Sequence, residues 1–267
     1  MNSLKFQKKP DRRYEVTSYD FEVFKMEKEK KEMIKNGVRV DGRKLDELRP
    51  IEAKVGILKN ANGSALFRLG NTMAMAGVYG PRKVHPKHME EAEKAILRTR
   101  YNMAAFSTVQ RSRPGPNRRS MEISLVTRDA LSSLIFLEEF PRTAIDVHIE
   151  ILQADASTRC VGINAASLAL ADAGIPMQDL IACCSAGKVQ GHILLDIAGK
   201  EDTEGELDLP VAYYPRKKLI TLLQMDGITT PDEFKKIISL AIKGCEKIHE
   251  EQKKALRRKY EIMEVSE

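Results

Sequence analysis

The sequence predicts an α+β fold in which helices pack against mixed sheets, and three observations carry that expectation. Apolar residues switch repeatedly between period two and period 3.6 along the 267 residues. Glycine and proline punctuate short β-capable runs, and helix caps stand ahead of the helical stretches. Runs of strands interleaved with helices, without a strict βαβ alternation, place helices against a mixed sheet.

The elements follow in order. Residues Met1 to Asn36 are strongly charged, with Glu27 to Lys35 nearly a polyelectrolyte, so they are expected to be an N-terminal arm (residues 1–36) rather than core. Ala65 to Tyr79 predicts a hairpin turning at Gly70-Asn71 and ended by Gly80-Pro81. Lys94 to Arg119 is expected to be a loop, on the strength of Pro114, Gly115 and Pro116. Ile123, Val126, Ala130, Leu134 and Leu137 recur at helical spacing, and Ile145 to Ile151 then alternates as a half-buried strand. Asp155, Ser157 and Thr158 offer caps to a small-residue helix through Ala165, Ala166, Leu168 and Ala171, closed by Gly174 and Pro176. Strands are expected at Ile181 to Ala186, Gly191 to Asp196, Leu209 to Tyr214 and Lys218 to Met225. Thr230, Pro231 and Glu233 make a capping box with a first-turn proline, so a long helix follows. Residues 37–267, including that helix, are expected to be one domain: the length suits one large core, and 42% hydrophobic residues is ordinary for one.

Charge and cysteine usage narrow the setting. A formal charge of +6 favours a polyanionic partner. Cys160, Cys183, Cys184 and Cys245 form no C-x-x-C pair and read as reduced core thiols, which points to a cytoplasmic protein. No stretch has the apolar length of a membrane span, and the first twelve residues are too charged for a signal-peptide core, so no membrane partner is expected.

Three segments carry candidate chemistry. The first is Lys94 to Arg119, which holds Lys94, Arg98, Arg100, Arg111, Arg113, Arg118 and Arg119 without one acid, interleaved with Tyr101 and Phe106. It suits single-stranded nucleic acid, since guanidinium forks match phosphates and aromatic faces stack bases; a solvated surface would share the composition. The second is Asp155 to Arg159 at the start of the small-residue helix, where backbone N–H groups, hydroxyls and one guanidinium suit an anion, or where the hydroxyls simply cap the helix. The third is the cluster Glu201, Asp202, Glu204, Glu206 and Asp208, either a solvated turn or a site for divalent metal and proton transfer.

Taken together, Gly37-Val38-Arg39-Val40-Asp41-Gly42-Arg43, Val78 to Pro81, Arg118 to Ile123, Phe140 to Thr143, Gln153 to Arg159, Ala171 to Pro176 and Glu201 to Asp208 resemble the RNase PH family, and within it the active ring subunits of archaeal exosomes. The resemblance implies an RNase PH-like (ribosomal protein S5 domain 2-like) fold and a phosphorolytic 3′-to-5′ exoribonuclease, in which inorganic phosphate is the co-substrate and Mg²⁺ or Mn²⁺ assists. It implies that Ser157, Thr158 and Arg159 hold the attacking phosphate, that Arg118 and Arg119 grip the terminal RNA phosphates, that Asp202 is the general acid and that Asp208 supports the metal. Arg98 and Arg100 are expected to contact further RNA phosphates, and Lys87 falls in the segment Arg82 to Met89 that matches the family's pore-lining loop. The expected partners are single-stranded RNA 3′ ends, an inactive homologue alternating with this chain in a hexameric ring (a trimer of heterodimers), and RNA-binding cap subunits. Alternatives are a stand-alone RNase PH that trims tRNA 3′ ends and a catalytically silent RNA-binding ring member. Two departures from the family pattern stand out: Ser157 where relatives often have glycine, and Pro210 where bacterial polynucleotide phosphorylases place a lysine.

Overall fold

The structure is a computed structural model that describes residues 33–35 and 37–265. The expected arm over residues 1–36 therefore lies, except for residues 33–35, outside the described residues. These belong to one compact unit, Met33–Glu267. Met33 and Ile34 are buried against Val189 and Leu194, and Ile34–Lys35 (β1) pairs with Val38–Arg39 (β2).

The first sheet has five strands in the order β3-β4-β5-β7-β6: β3 (Ile51–Val55), β4 (Gly63–Leu69), β5 (Thr72–Lys83), β6 (Ile96–Met103) and β7 (Thr143–Gln153). The β4–β5 hairpin turns at Gly70-Asn71 as the sequence predicts, with Leu69 opposite Thr72. Gly70 takes a φ of +57°, a conformation in which a side chain on Cβ is strained. All pairings in this sheet are antiparallel except β6 with β7.

The segment expected to be a loop over Lys94 to Arg119 thus contains a strand. Arg98, Thr99, Arg100 and Asn102 hide the signal because their polar side chains break the apolar alternation, and the partners of Arg98 and Asn102 lie 48 residues away. Arg98 Nε donates to Asp146 Oδ1 at 2.6 Å and Asn102 Nδ2 to Glu150 Oε2 at 2.7 Å, so the neighbouring strand neutralises them. Tyr101 is 3% exposed and is therefore a core residue rather than a base-stacking platform, whereas Phe106 is 77% exposed.

Helix α1 (Arg118–Ser132) starts at Asn117, whose Oδ1 accepts from the Ser120 N–H at 2.8 Å while Ser120 Oγ accepts from the Asn117 N–H at 2.9 Å. It stops before Leu134 and Leu137, which are buried beyond its end rather than on it. Helix α2 (Thr158–Asp172) is buried at Thr158 and from Cys160 to Leu170 because its alanines, Gly162 and Ser167 let two layers close on it. It packs between the first sheet and the second.

The second sheet is antiparallel, in the order β11-β10-β8-β9 with β12 on β10: β8 (Ala182–Val189), β9 (His192–Leu195), β10 (Leu207–Tyr214), β11 (Leu219–Leu223) and β12 (Asp226–Gly227). A short helix, α3 (Lys200–Glu204), precedes β10, where the sequence suggests only a turn. The long helix α4 (Pro231–Val265) covers β8, β9 and β10. Its capping box forms as expected: Glu233 Oε2 accepts from the Thr230 N–H at 3.2 Å, and Thr230 Oγ1 from the Glu233 N–H at 3.4 Å.

Candidate active site

Three chain segments far apart in sequence meet at one cavity of about 690 Å³. Arg119 and Glu122 enter from α1, Ser157, Thr158 and Arg159 from the start of α2, and Asp202 and Asp208 from α3 and β10. Gln224 and Asp226, between and within the last two strands, complete the wall.

The start of α2 is not an ordinary capped helix. Ala156 and Ser157 take φ values of +60° and +53°, and Ser157 makes no side-chain capping bond. Its Oγ instead lies 2.8 Å from Ser185 Oγ and donates to the Ile197 carbonyl at 2.8 Å. The hydroxyl is thereby turned toward the second sheet, and no side chain caps the first N–H groups of the helix. Those donors and the positive end of the helix dipole suit an anion. The left-handed conformation gives a physical reason why glycine would suit this position and shows that serine is accommodated.

Arg159 stands in the first turn. Its Nη2 donates to Glu122 Oε2 at 3.1 Å, and Glu122 Oε1 accepts from Gln224 Nε2 at 2.8 Å. Arg159 Nε is buried without a hydrogen-bond partner. Glu122 carries no role in the sequence reading. A signal was present, because Glu122 lies three residues after Arg119 and therefore on the same helix face; Gln224 had none.

The acidic side is built by α3 and β10. Asp208 stands on β10 opposite Gly187 of β8 and Asp226 of β12. A Cβ at Gly187 would lie 2.0 Å from the Leu207 carbonyl oxygen, so glycine is required for β10 to sit there. Asp208 Oδ1 is buried and unpartnered. Its pKa is raised to about 7, first by burial and next by the charge of Asp202. Asp202 is pushed up as well, by the loss of surrounding water, against the opposing pull of Arg119. Two carboxylates near one another thus favour sharing a proton or a cation.

Asp208, with its orphaned oxygen, and Asp202 suit a divalent cation such as Mg²⁺, which is held by few carboxylates and completes its shell with water and substrate phosphates. Among the described residues no set of three or more His, Cys, Asp or Glu side chains forms a closed metal cage. Pro210 also lines the cavity, so no ammonium from that position competes for the same oxygens.

The remaining expected RNA contacts do not line this cavity. Arg118 is exposed on the first turn of α1. Arg98 and Arg100 line a separate groove of about 520 Å³ between β6 and α1, and Lys87 is exposed in a 3₁₀ turn (Lys87–Met89) after β5. Arg98 is bound to Asp146, which also pairs with Arg82; its charge is therefore partly spent within the fold.

Profiles of the 3′ exoribonuclease family match residues 47–176 (RNase PH, domain 1) and residues 179–244 (domain 2). The chain belongs to the RNase PH family. The chain is 60% identical to the exosome complex component Rrp41 of Pyrococcus furiosus, over 84% of this chain and 90% of that protein. It is 55% identical to the Rrp41 component of Methanopyrus kandleri over 84% and 94%. The crystal structure of rice (Oryza sativa) Rrp46 superposes with a TM-score of 0.74 at 24% identity, covering 82% of this chain and all of that one, so the RNase PH-like fold extends over most of the chain. No described helix is long and apolar enough to cross a membrane.

Proposed function

We propose that this chain is the phosphorolytic subunit of an exosome ring, degrading RNA from the 3′ end and releasing nucleoside diphosphates. The observation that carries the reading is the meeting of an uncapped helix start bearing Arg159 with two carboxylates of raised pKa in one cavity. A cation-lined pocket beside protonatable acids is what phosphate attack on a diester requires, since two anions must approach and the departing oxygen needs a proton.

Inorganic phosphate binds at the N–H groups of Thr158 and Arg159 and at the Arg159 guanidinium, which reorients from Glu122 as the anion arrives. Arg119 holds the terminal phosphates of the RNA in the cavity, with Arg118 beside it on the helix. A phosphate oxygen forms a bond to the scissile phosphorus on the face opposite the leaving 3′ oxygen. As the P–O3′ bond breaks, Asp202, whose dehydrated setting raises its proton affinity, gives its proton to that oxygen. The products are a nucleoside diphosphate and an RNA one nucleotide shorter. Asp208 would hold Mg²⁺ or Mn²⁺, which supplies neutralisation of charge on the phosphates. The same transition state run backwards adds nucleotides from nucleoside diphosphates.

The ring assembly is supported by the names of the relatives, which are exosome components. The expected partners are an inactive homologous subunit alternating around a hexamer and RNA-binding caps, with Arg98, Arg100 and Lys87 guiding the strand outside the cavity. Four buried free thiols fit a cytoplasmic site of action.

The test is to assay the assembled complex on a 3′-tailed RNA with Mg²⁺, with and without phosphate. Nucleoside diphosphates formed only with phosphate support the reading. Monophosphates formed without phosphate overturn it.

A further inference from the structure

We propose that Arg49 is a positioning residue: clamped on the buried carboxylate of Asp196, it fixes the spacing between the phosphate loop at Asp155–Arg159 and the acidic segment Glu201–Asp208. This rests on the reading of those two segments given above.

Arg49 does not line the cavity, and it is 5% exposed. Its Nε and Nη2 donate to the two oxygens of Asp196 at 2.9 and 2.7 Å. The third nitrogen, Nη1, donates to the Asp155 carbonyl at 2.6 Å. One rigid guanidinium therefore touches the phosphate loop and the end of β9 at once. Thr72 reinforces the same point: its Oγ1 accepts from the Asp155 N–H at 3.1 Å and lies 2.8 Å from the Ala156 carbonyl.

On the far side the chain of contacts continues to the acid. The Asp196 carbonyl accepts from Arg39 Nη2 at 2.8 Å. Arg39 Nε donates to Glu201 Oε1 at 2.8 Å, and its Nη2 pairs with the other oxygen. Glu201 is buried and immediately precedes Asp202. The path thus runs from the Asp155 carbonyl through Arg49, Asp196, Arg39 and Glu201 to the residue that carries the proton.

Energetics argue that this array exists for geometry. Placing charges where no water reaches them costs several kcal/mol per ion, and packed apolar groups often stabilise a fold equally well. A planar fork with two carboxylate bonds and one carbonyl bond fixes distances in a way that a flexible ammonium or an alkyl chain does not. Reaction between two bound anions is sensitive to such distances, and a displacement of about 1 Å can cost about 100-fold in rate.

The experiment uses the assembled complex carrying Arg49→Lys, which keeps the charge but replaces the planar fork with a compact point charge, or Thr72→Val, which removes only the hydroxyl beneath the loop and leaves the ion pairs intact. Inorganic phosphate and a 3′-tailed single-stranded RNA are titrated in turn. For Arg49→Lys we expect kcat/KM for phosphate to fall about 10- to 100-fold through both a higher KM and a lower kcat, with RNA affinity within about twofold of the parent. Thr72→Val should show the same pattern more weakly, and it decides the matter if Arg49→Lys does not fold. A kcat that falls only in step with the folded fraction, with phosphate KM unchanged, overturns the proposal, and so does an equal loss toward RNA and phosphate. The parental complex distinguishes the underlying reading: if it neither binds phosphate by calorimetry nor needs it for turnover, that reading falls and the positioning role falls with it.

Discussion

Glu122 already holds the residue that the attacking phosphate needs: its Oε2 accepts from Arg159 Nη2 at 3.1 Å. With Arg159 and Glu122 side chains 21% and 41% exposed, the pair is worth about 0.2–1 kcal/mol. Phosphate must displace that contact. Glu122→Gln should therefore lower phosphate KM by up to about fivefold without changing RNA affinity. Arg159→Ala should raise the phosphate requirement more than the RNA requirement. Phosphate titrations of both variants check this, and a raised phosphate KM in Glu122→Gln would show that the carboxylate orients Arg159 rather than competing for it.

Asp202 and Asp208 should differ in the kind of loss they cause. Asp202→Asn keeps the shape and removes the proton, so diphosphate release and tailing should both collapse while RNA still binds. Asp208→Asn should leave activity that added Mg²⁺ partly restores. Product analysis across a Mg²⁺ series separates the two, and parental rates in Asp202→Asn would remove it as the acid.

The raised pKa of Asp208 also makes a stability prediction. Its value moves from the ordinary 3.8 to about 7 in the fold, so between those pH values the folded chain holds a proton that the unfolded chain has lost. The stabilisation is complete below about pH 4 and disappears as pH rises through 7. Each tenfold difference in proton affinity is worth about 1.4 kcal/mol, or roughly 3–6 °C of midpoint for a chain near this size. In metal-free buffer, Asp208→Asn should melt at least a few degrees above the parent at pH 8, and Mg²⁺ should close that gap. Thermal unfolding from pH 5 to pH 8 measures it; identical midpoints at pH 8 would show that the burial costs nothing.

RNA binding should weaken with salt, and the arginines should differ in their share of that dependence. Loss of Arg119 should lower the log–log slope by about 0.7, the value for one phosphate contact with a single strand. Arg98→Ala should change it less, because Asp146 already neutralises that guanidinium. Binding titrations at several salt concentrations test the order, and a larger effect at Arg98 would put the main RNA path in the groove between β6 and α1.

Local pattern was enough for most of the architecture. The Gly70-Asn71 hairpin, the alternating strand after Thr143, the small-residue helix and the Thr230–Glu233 capping box all depend on neighbours within a few residues, which is why they are legible in the chain. The ordered motifs likewise carried the family. Long-range pairing settled the rest. β6 reads as a loop until Asp146 and Glu150 arrive beside it to pair its polar side chains. Tyr101 looks like a stacking face until burial against Gly162 takes it out of solvent. Arg49 and Asp196 are unremarkable in the sequence because their meaning lies in a contact across 147 positions. The raised pKa of Asp208 has the same origin: desolvation and a facing charge are properties of the assembled cavity, and no local stretch of residues contains them.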